Sequence, residues 1–253
     1  MLKMLTFLRA SILMLLLCSV CLAGEAPPGD AATAKAAPQY DTRAIEGWTV
    51  HISPKLLADD KVALDKALEM LAAHLKQIVI AVPADAVAHL KKVPLYFNPG
   101  YPGIGPHAEY HPDAGWLKAN KRDPGMAHGV EFTNVKVFEA DTSRMPVFVL
   151  HELAHAFHDQ VLSFDQPDVI AAYKRALESK SYEKVERFHG VPGRHNTFER
   201  AYAMTNHKEY FAECTEAFFG RNDFFPFTRD QLEAHDPEMF KLLARLWNAP
   251  LPK

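Results

Sequence analysis

Apolar and polar residues alternate in "GWTVHIS": Trp48, Val50 and Ile52 stand against Thr49, His51 and Ser53 before Pro54 breaks the run. That pattern predicts a strand. From Asp59 to Ile78 the period changes, and Leu64, Ala67, Leu68, Leu71, Leu75 and Ile78 recur at helical spacing. A short helix over Ala84–Leu90 and a strand over "VPLYF" follow. "NPGYPGIGPHAEYHPDAGWL" is dense in Gly, Pro, His and Tyr, which predicts a long, shaped loop. "GVEFTNVKVFEA" predicts a second extended region, with a bulge or turn near Asn134 where the alternation slips. A helix is expected from Met145 or Pro146, another over Pro167–Ser179, a hairpin or loop over Tyr182–Arg200, and further helices from near Asn206, Arg229 and Pro237. Strands come early and helices late, so the pattern predicts an α+β fold rather than alternating α/β.

The helix near Met145 carries "VLHELAHAFHDQV". On a helix, His151 and His155 fall about 40° apart, so two imidazoles can converge on one point. Val149, Leu150, Leu153, Ala154, Ala156 and Phe157 make an apolar opposite side that can face a core. Zinc takes nitrogen ligands near 2 Å, and histidines at i and i+4 supply two without bending the helix. Glu152 projects beside that point, where a base for water belongs. His158 lies too far along the same helix to complete a tetrahedron and is expected to be solvated or outside the ligand set. A third ligand must come from elsewhere in the chain.

"AYAMTNHKEYFAECTEAFFG" offers three carboxylates. On a helix beginning after Asn206, Glu209, Glu213 and Glu216 fall within about 60° of one another. Like charges crowded on one face need a cation or hydrogen bonds. Two other readings stay open: a solvated acidic face, and a capping box in which Asn206 and Glu209 close the helix N-terminus. Cys214 falls on the apolar side and reads as a small core residue.

HELAH at 151–155, "YAMT" at 202–205 and "NHKEYFAE" at 206–213 resemble the catalytic core of the anthrax lethal factor-like zinc peptidases. That gluzincin group includes the secreted Pro-Pro endopeptidases. The close resemblance spans about 20–25 residues, and the large binding and targeting domains of the toxin are not expected in this chain. It implies a zincin-like fold, with a small sheet beside the histidine helix and a helical C-terminal half. It also implies His151, His155 and Glu209 as ligands of one zinc ion per chain, with Glu152 as general base. Tyr202 would assist at the developing oxyanion and Glu213 would lie outside the ligands. Glu213 and Asp159 are alternative hydrogen-bond partners for a ligating histidine. A peptide substrate is expected to add as a strand beside the helix, with Val130, Glu131 and Phe132 as the edge-strand candidate. His107, Tyr110, His111 and Trp116 are candidates to line the site. His189, His195 and His207 read as surface or capping residues.

Composition narrows the function classes. The chain has 253 residues, 48% hydrophobic and 23% charged, with a net charge of −3. It carries no basic stripe, so nucleic acid is not an expected partner. Lys3 and Arg9 precede "SILMLLLCSVCLA", and a cut after Ala23 would make residues 1–23 a signal peptide. Export to the periplasm or the extracellular space is the expectation, with no membrane insertion after cleavage; a lipoprotein or an uncleaved anchor is the alternative. Residues 24–39, rich in Ala and Pro, read as a linker, and 40–253 as one catalytic domain. Signal removal would leave Cys214 alone, so the domain is expected to stand on its core without disulfides. The expected activity is an exported endopeptidase acting on peptides or proteins through a zinc-activated water; an inactive, zinc-bound peptide- or protein-binding module is the alternative.

Overall fold

The computed structural model describes residues 39–251. The proposed signal peptide and nearly all of the linker therefore lie outside the described residues. Five strands form one mixed sheet: β1 (Asp41–Ile45), β2 (Trp48–Ile52), β3 (Leu95–Phe97), β4 (Ala108–Tyr110) and β5 (Val130–Phe132), in the spatial order β1-β2-β3-β5-β4. The two hairpin-like pairs at the ends, β1–β2 and β4–β5, are antiparallel, and the central pairs are parallel. Trp48, Val50, Ile52, Leu95, Phe97, Val130 and Phe132 are fully buried on the face toward the helices. The period-two pattern of the sequence supplies that face directly.

Helices cover it. In chain order these are α1 (Pro54–Asp59), α2 (Lys61–Ala81), α3 (Ala84–Leu90), α4 (Ala114–Ala119), α5 (Phe138–Arg144), α6 (Phe148–Phe157), α7 (Pro167–Ser179), α8 (His207–Phe219), α9 (Arg229–His235) and α10 (Pro237–Leu246). A small hairpin of β6 (Val185–Arg187) and β7 (Thr197–Glu199) interrupts the helical half. The fold is mixed α+β, with a small sheet and a helical C-terminal half. Among the described residues no helix is long and apolar enough to cross a membrane.

The apolar side of α6 (Val149, Leu150, Leu153, Ala154 and Phe157) is buried, and α8 lies alongside it, with Tyr210 and Cys214 turned toward Tyr182 and Phe211 toward Trp247. Trp247, just past α10, stacks on Phe157 with ring centroids 3.9 Å apart. A well-placed aromatic pair of this kind adds about 0.5–1.5 kcal/mol beyond the area it buries. These contacts fix α6 and α8 side by side, with their polar faces on one cleft.

Three sequence expectations change. The extended region after Gly129 ends at Phe132; Val135 and Phe138, three apart and both buried, then continue as a helical turn and α5. Val130–Phe132 is an interior strand paired with β3 on one side and β4 on the other, so it has no free edge. Its three side chains are almost wholly buried, and a peptide cannot add there. The sheet edge beside α6 is β4, a strand inside what the sequence marks as loop.

Candidate active site

The N-terminus of α8 sets the first part of the geometry. The Asn206 side chain accepts the backbone N–H groups of Lys208 and Glu209, at 2.9 and 3.1 Å, and so caps the helix. Glu209 leaves its carboxylate free for the neighbouring helix. Its Oε2 lies 3.2 Å from Nε2 of His151 and 3.2 Å from Nε2 of His155, and those two nitrogens are 3.1 Å apart. Burial alone would raise the Glu209 carboxyl, but the two imidazoles outweigh it and hold it well below the usual carboxylate range.

Three lone-pair donors at the corners of a nearly equilateral triangle fit a metal ion. A tetrahedral ion with bonds of 2.0–2.1 Å separates its ligands by about 3.3 Å. Two imidazoles and one carboxylate are also the donor set of a site that keeps a position open. A second convergent group, His151, Glu213 and Glu216, exists among the described residues. It turns on the other nitrogen of the same imidazole and therefore reads as support for His151. Glu216 Oε1 is 2.6 Å from His151 Nδ1, while Glu213 Oε1 is 3.8 Å away. An N–H on Nδ1 bonded to a carboxylate leaves the Nε2 lone pair facing the triangle.

The sequence offered Glu213 and Asp159 for that supporting contact; the structure puts Glu216 there. Glu213 is buried and accepts from Asn222 at 3.1 Å. Asp159 belongs to a π-helical turn, His158–Leu162, that follows α6, and accepts the Tyr110 hydroxyl at 2.7 Å. Three carboxyls, Glu213, Glu216 and Asp223, share one buried patch. Burial pushes all three up, with repulsion from neighbouring carboxylates adding to it at Glu213 and Glu216. Glu216 rises to about 7 against the pull of its His151 hydrogen bond, and Asp223 rises against Arg187 and Arg144.

Tyr110 ties the sheet edge to α6. Its backbone N–H donates to Glu152 Oε2 at 2.9 Å, and its hydroxyl is held by Asp159 and Gln160. Residues 107 and 111 turn their backbone groups toward β5, as shown by their bonds to Thr133, Gly129 and His128. Strand alternation then aims the groups of Ala108 and Tyr110 the other way, into the cleft. The alternation of "HAEYH" was the signal for this edge, a period of two inside a Gly- and Pro-rich stretch.

Tyr202 sits on a single 3₁₀ turn, Tyr202–Met204, immediately before α8. Ala203 and Met204 are buried beneath it, and its own side chain is half-exposed. Partial burial, with the nearby Glu209 charge next in weight, raises its phenol pKa, so it stays protonated and able to donate. One cavity of about 440 Å³ includes His151, Glu152 and Tyr202 and extends past Ala108. Another, of about 390 Å³, shares those three residues and extends past His155 and Tyr110. The cleft thus continues on both sides of the triangle.

The remaining sequence candidates scatter. His107 lines both cavities and Tyr110 the second. His111 and Trp116 do not: His111 is buried against Glu131 at 2.9 Å on the far face of the sheet, and Trp116 stacks over it. His158 is wholly buried rather than solvated, and neither of its ring nitrogens has a hydrogen-bond partner. Its pocket of Phe164, Phe211 and His207 pushes its pKa down to about 3 through burial. His189 is likewise buried, bonded to Thr197 at 2.9 Å, whereas His195 is exposed. His207 bonds the Phe164 carbonyl, and Cys214 is a buried core residue.

A family described as glucose-regulated metallo-peptidase M90 has a model that matches residues 133–248. The chain is a zinc metallopeptidase. The matched stretch contains His151, His155 and Glu209 together with Glu152, Tyr202 and Glu216, and begins just after β5 of the five-stranded sheet. It is the M90 description that matches, not one specific to the lethal factor-like group. No curated protein and no solved structure matches the chain. A metallopeptidase implies a metal ion, and a peptide substrate.

Proposed function

We propose that this protein is an exported endopeptidase that holds one zinc ion on His151, His155 and Glu209. The observation that carries the reading is the triangle of ligand atoms, 3.1–3.2 Å on each edge, at the middle of a cleft that continues both ways. A cleft open at both ends suits an internal peptide bond. When bound, zinc supplies Lewis acidity, bringing water within reach of ionisation near neutral pH and polarising a carbonyl oxygen.

The chain's own groups do the rest. Glu152 takes the proton from the attacking water and holds it for the leaving amine. The Tyr110 N–H bond steadies the carboxylate for both tasks by occupying one of its oxygens. Tyr202 donates its phenol proton to the oxygen that gains charge; such a donor is typically worth about 2.7–4 kcal/mol in the transition state. Glu216 orients His151, and the outward N–H and C=O of Ala108, with the Tyr110 carbonyl, receive the peptide backbone by β-augmentation. The arrangement agrees with a gluzincin of the zincin-like fold and with the resemblance to the lethal factor-like peptidases. In this reading residues 1–23 direct export, residues 24–39 are a linker, and the domain works in the periplasm or outside the cell.

Peptide-library cleavage read by mass spectrometry tests it, with metal content measured on wild type and Glu152→Ala. Cleavage by wild type alone, with one zinc per chain in both proteins, is the expected result. Zinc without cleavage in either would favour a binding module, and absence of zinc would sink the ligand assignment.

A further inference from the structure

Three arginines line the larger cavity; Arg200 donates to Glu183 at 3.0 Å, while the donors of the other two are barely used. Arg144 closes α5, and Arg187 lies on β6 with its guanidinium over the Phe224 ring, 4.7 Å from the centroid. Both flank Asp223, at 3.7 and 3.6 Å. Their other carboxylate contacts are Asp141 at 3.3 Å for Arg144 and Glu199 at 3.5 Å for Arg187. Among the described residues the Asp141 contact alone is a side-chain hydrogen bond to either guanidinium. A guanidinium carries five N–H donors, so most of these lack an acceptor. Arg187 Nε is buried with none.

Access decides what a substrate would meet. The Arg144 and Arg187 side chains are 31% and 27% exposed, whereas Asp223 is 3% and Glu213 5% exposed. Asp141 is occupied by Asn134 at 2.7 Å, and Glu199 sits at the rim. Asp141, Glu199, Glu213 and Asp223 line the same cavity, with Glu199 42% exposed. But Asp223, the carboxylate that both guanidiniums flank, is nearly inaccessible, whereas parts of both guanidiniums reach the space.

We propose that Arg144 and Arg187 form a subsite for an acidic side chain of the substrate, Asp or Glu, next to the scissile bond. This rests on the peptidase reading above. The direction follows from β4, which runs from the arginine cavity at Ala108 toward the His155 side at Tyr110. Antiparallel pairing, the slightly more stable kind, sends the peptide the opposite way. The arginine cavity then receives the residue just after the scissile bond. A carboxylate there gains charge-assisted hydrogen bonds in a geometry guanidinium suits.

The test uses the purified full chain loaded with zinc. Library cleavage should show Asp and Glu enriched directly after the cut. A matched peptide pair differing only as Asp or Asn at that position should then be cleaved with kcat/KM about tenfold higher for Asp. In Arg187→Gln and in Arg144→Gln that ratio should fall toward one. A variant that merely loosens the fold would slow both peptides alike and leave the ratio intact, and that outcome overturns the proposal. So does cleavage with a basic or apolar preference at this position, which leaves the peptidase reading standing. If nothing is cleaved, binding of the same two peptides to Glu152→Gln decides: tighter binding of the Asp peptide supports the subsite while the peptidase reading fails, and equal binding overturns the subsite too.

Discussion

Nδ1 of His151 and Oε1 of Glu216 meet at 2.6 Å, across the contact between α6 and α8. The carboxylate comes from the residue seven places after Glu209, two turns along the same helix. One helix therefore supplies both the carboxylate that shares the triangle with His151 and the one that holds that histidine's ring.

Removing this support should weaken metal binding without removing a ligand. Glu216→Ala is expected to lower zinc affinity roughly 10–100-fold. Glu216→Gln, which keeps an acceptor oxygen, should recover most of it, and Asp159→Ala should have no effect. Chelator competition measures all three; undiminished affinity in Glu216→Ala would mean that packing alone orients His151.

Tyr202 should act on turnover. Tyr202→Phe removes the donor and keeps the ring, so kcat should fall about 10²–10³-fold, with KM and bound zinc nearly constant. Steady-state kinetics on a peptide taken from the library reads this directly. A fall in zinc content would instead place Tyr202 in the support of the metal site.

The edge strand gives a prediction on affinity. Ala108→Pro deletes a cleft-facing N–H on a strand edge where proline is tolerated. KM should rise roughly fivefold, the loss of about one hydrogen bond, while zinc binding is unchanged. Glu131→Ala should behave differently. That buried carboxylate accepts from Asn98, Tyr101 and His111 and faces Arg122 at 3.4 Å. Its loss should cost stability of about 3–5 kcal/mol, seen in urea denaturation.

Acid should destabilise the fold through two histidines kept neutral. Burial lowers His158 to about 3 and His74 to about 4. Both pKa values are depressed in the folded state, so below about 6.5 the unfolded chain binds protons that the folded one refuses. Their contribution to stability is full above pH 6.5 and is lost as pH falls toward 3–4. Each histidine steepens the curve by at most about 1.4 kcal/mol per pH unit. His158→Phe, which suits an aromatic pocket with no hydrogen-bond partner, should flatten it. Denaturation midpoints of wild type and variant between pH 4 and 8 would show this as a narrowing gap in slope.

What local periodicity encodes could be read from residue order alone. Spacing i, i+4 put His151 and His155 on one face of α6, and an apolar arc put that helix against the core. Asn206 marked the start of α8, and the order of motifs joined Tyr202 and Glu209 to the histidines. The alternation in Trp48–Ile52 marked β2 for the same reason: a period fixes which face each side chain takes.

Tertiary structure decided which of several equivalent residues was used. Glu209, Glu213 and Glu216 share one helical face, and the rotation and offset of α8 against α6 alone bring Glu216, rather than Glu213, to His151. Asp159 lies on a turn whose π-helical geometry swings it to Tyr110 instead. Whether a strand is an edge depends on what pairs beside it, so Val130–Phe132 and Ala108–Tyr110 could exchange roles without any change in their own patterns. The arginine pair is also beyond local reading, because Arg144, Arg187 and Asp223 come from three separate segments and meet only when α5, the hairpin and the segment after α8 are packed together.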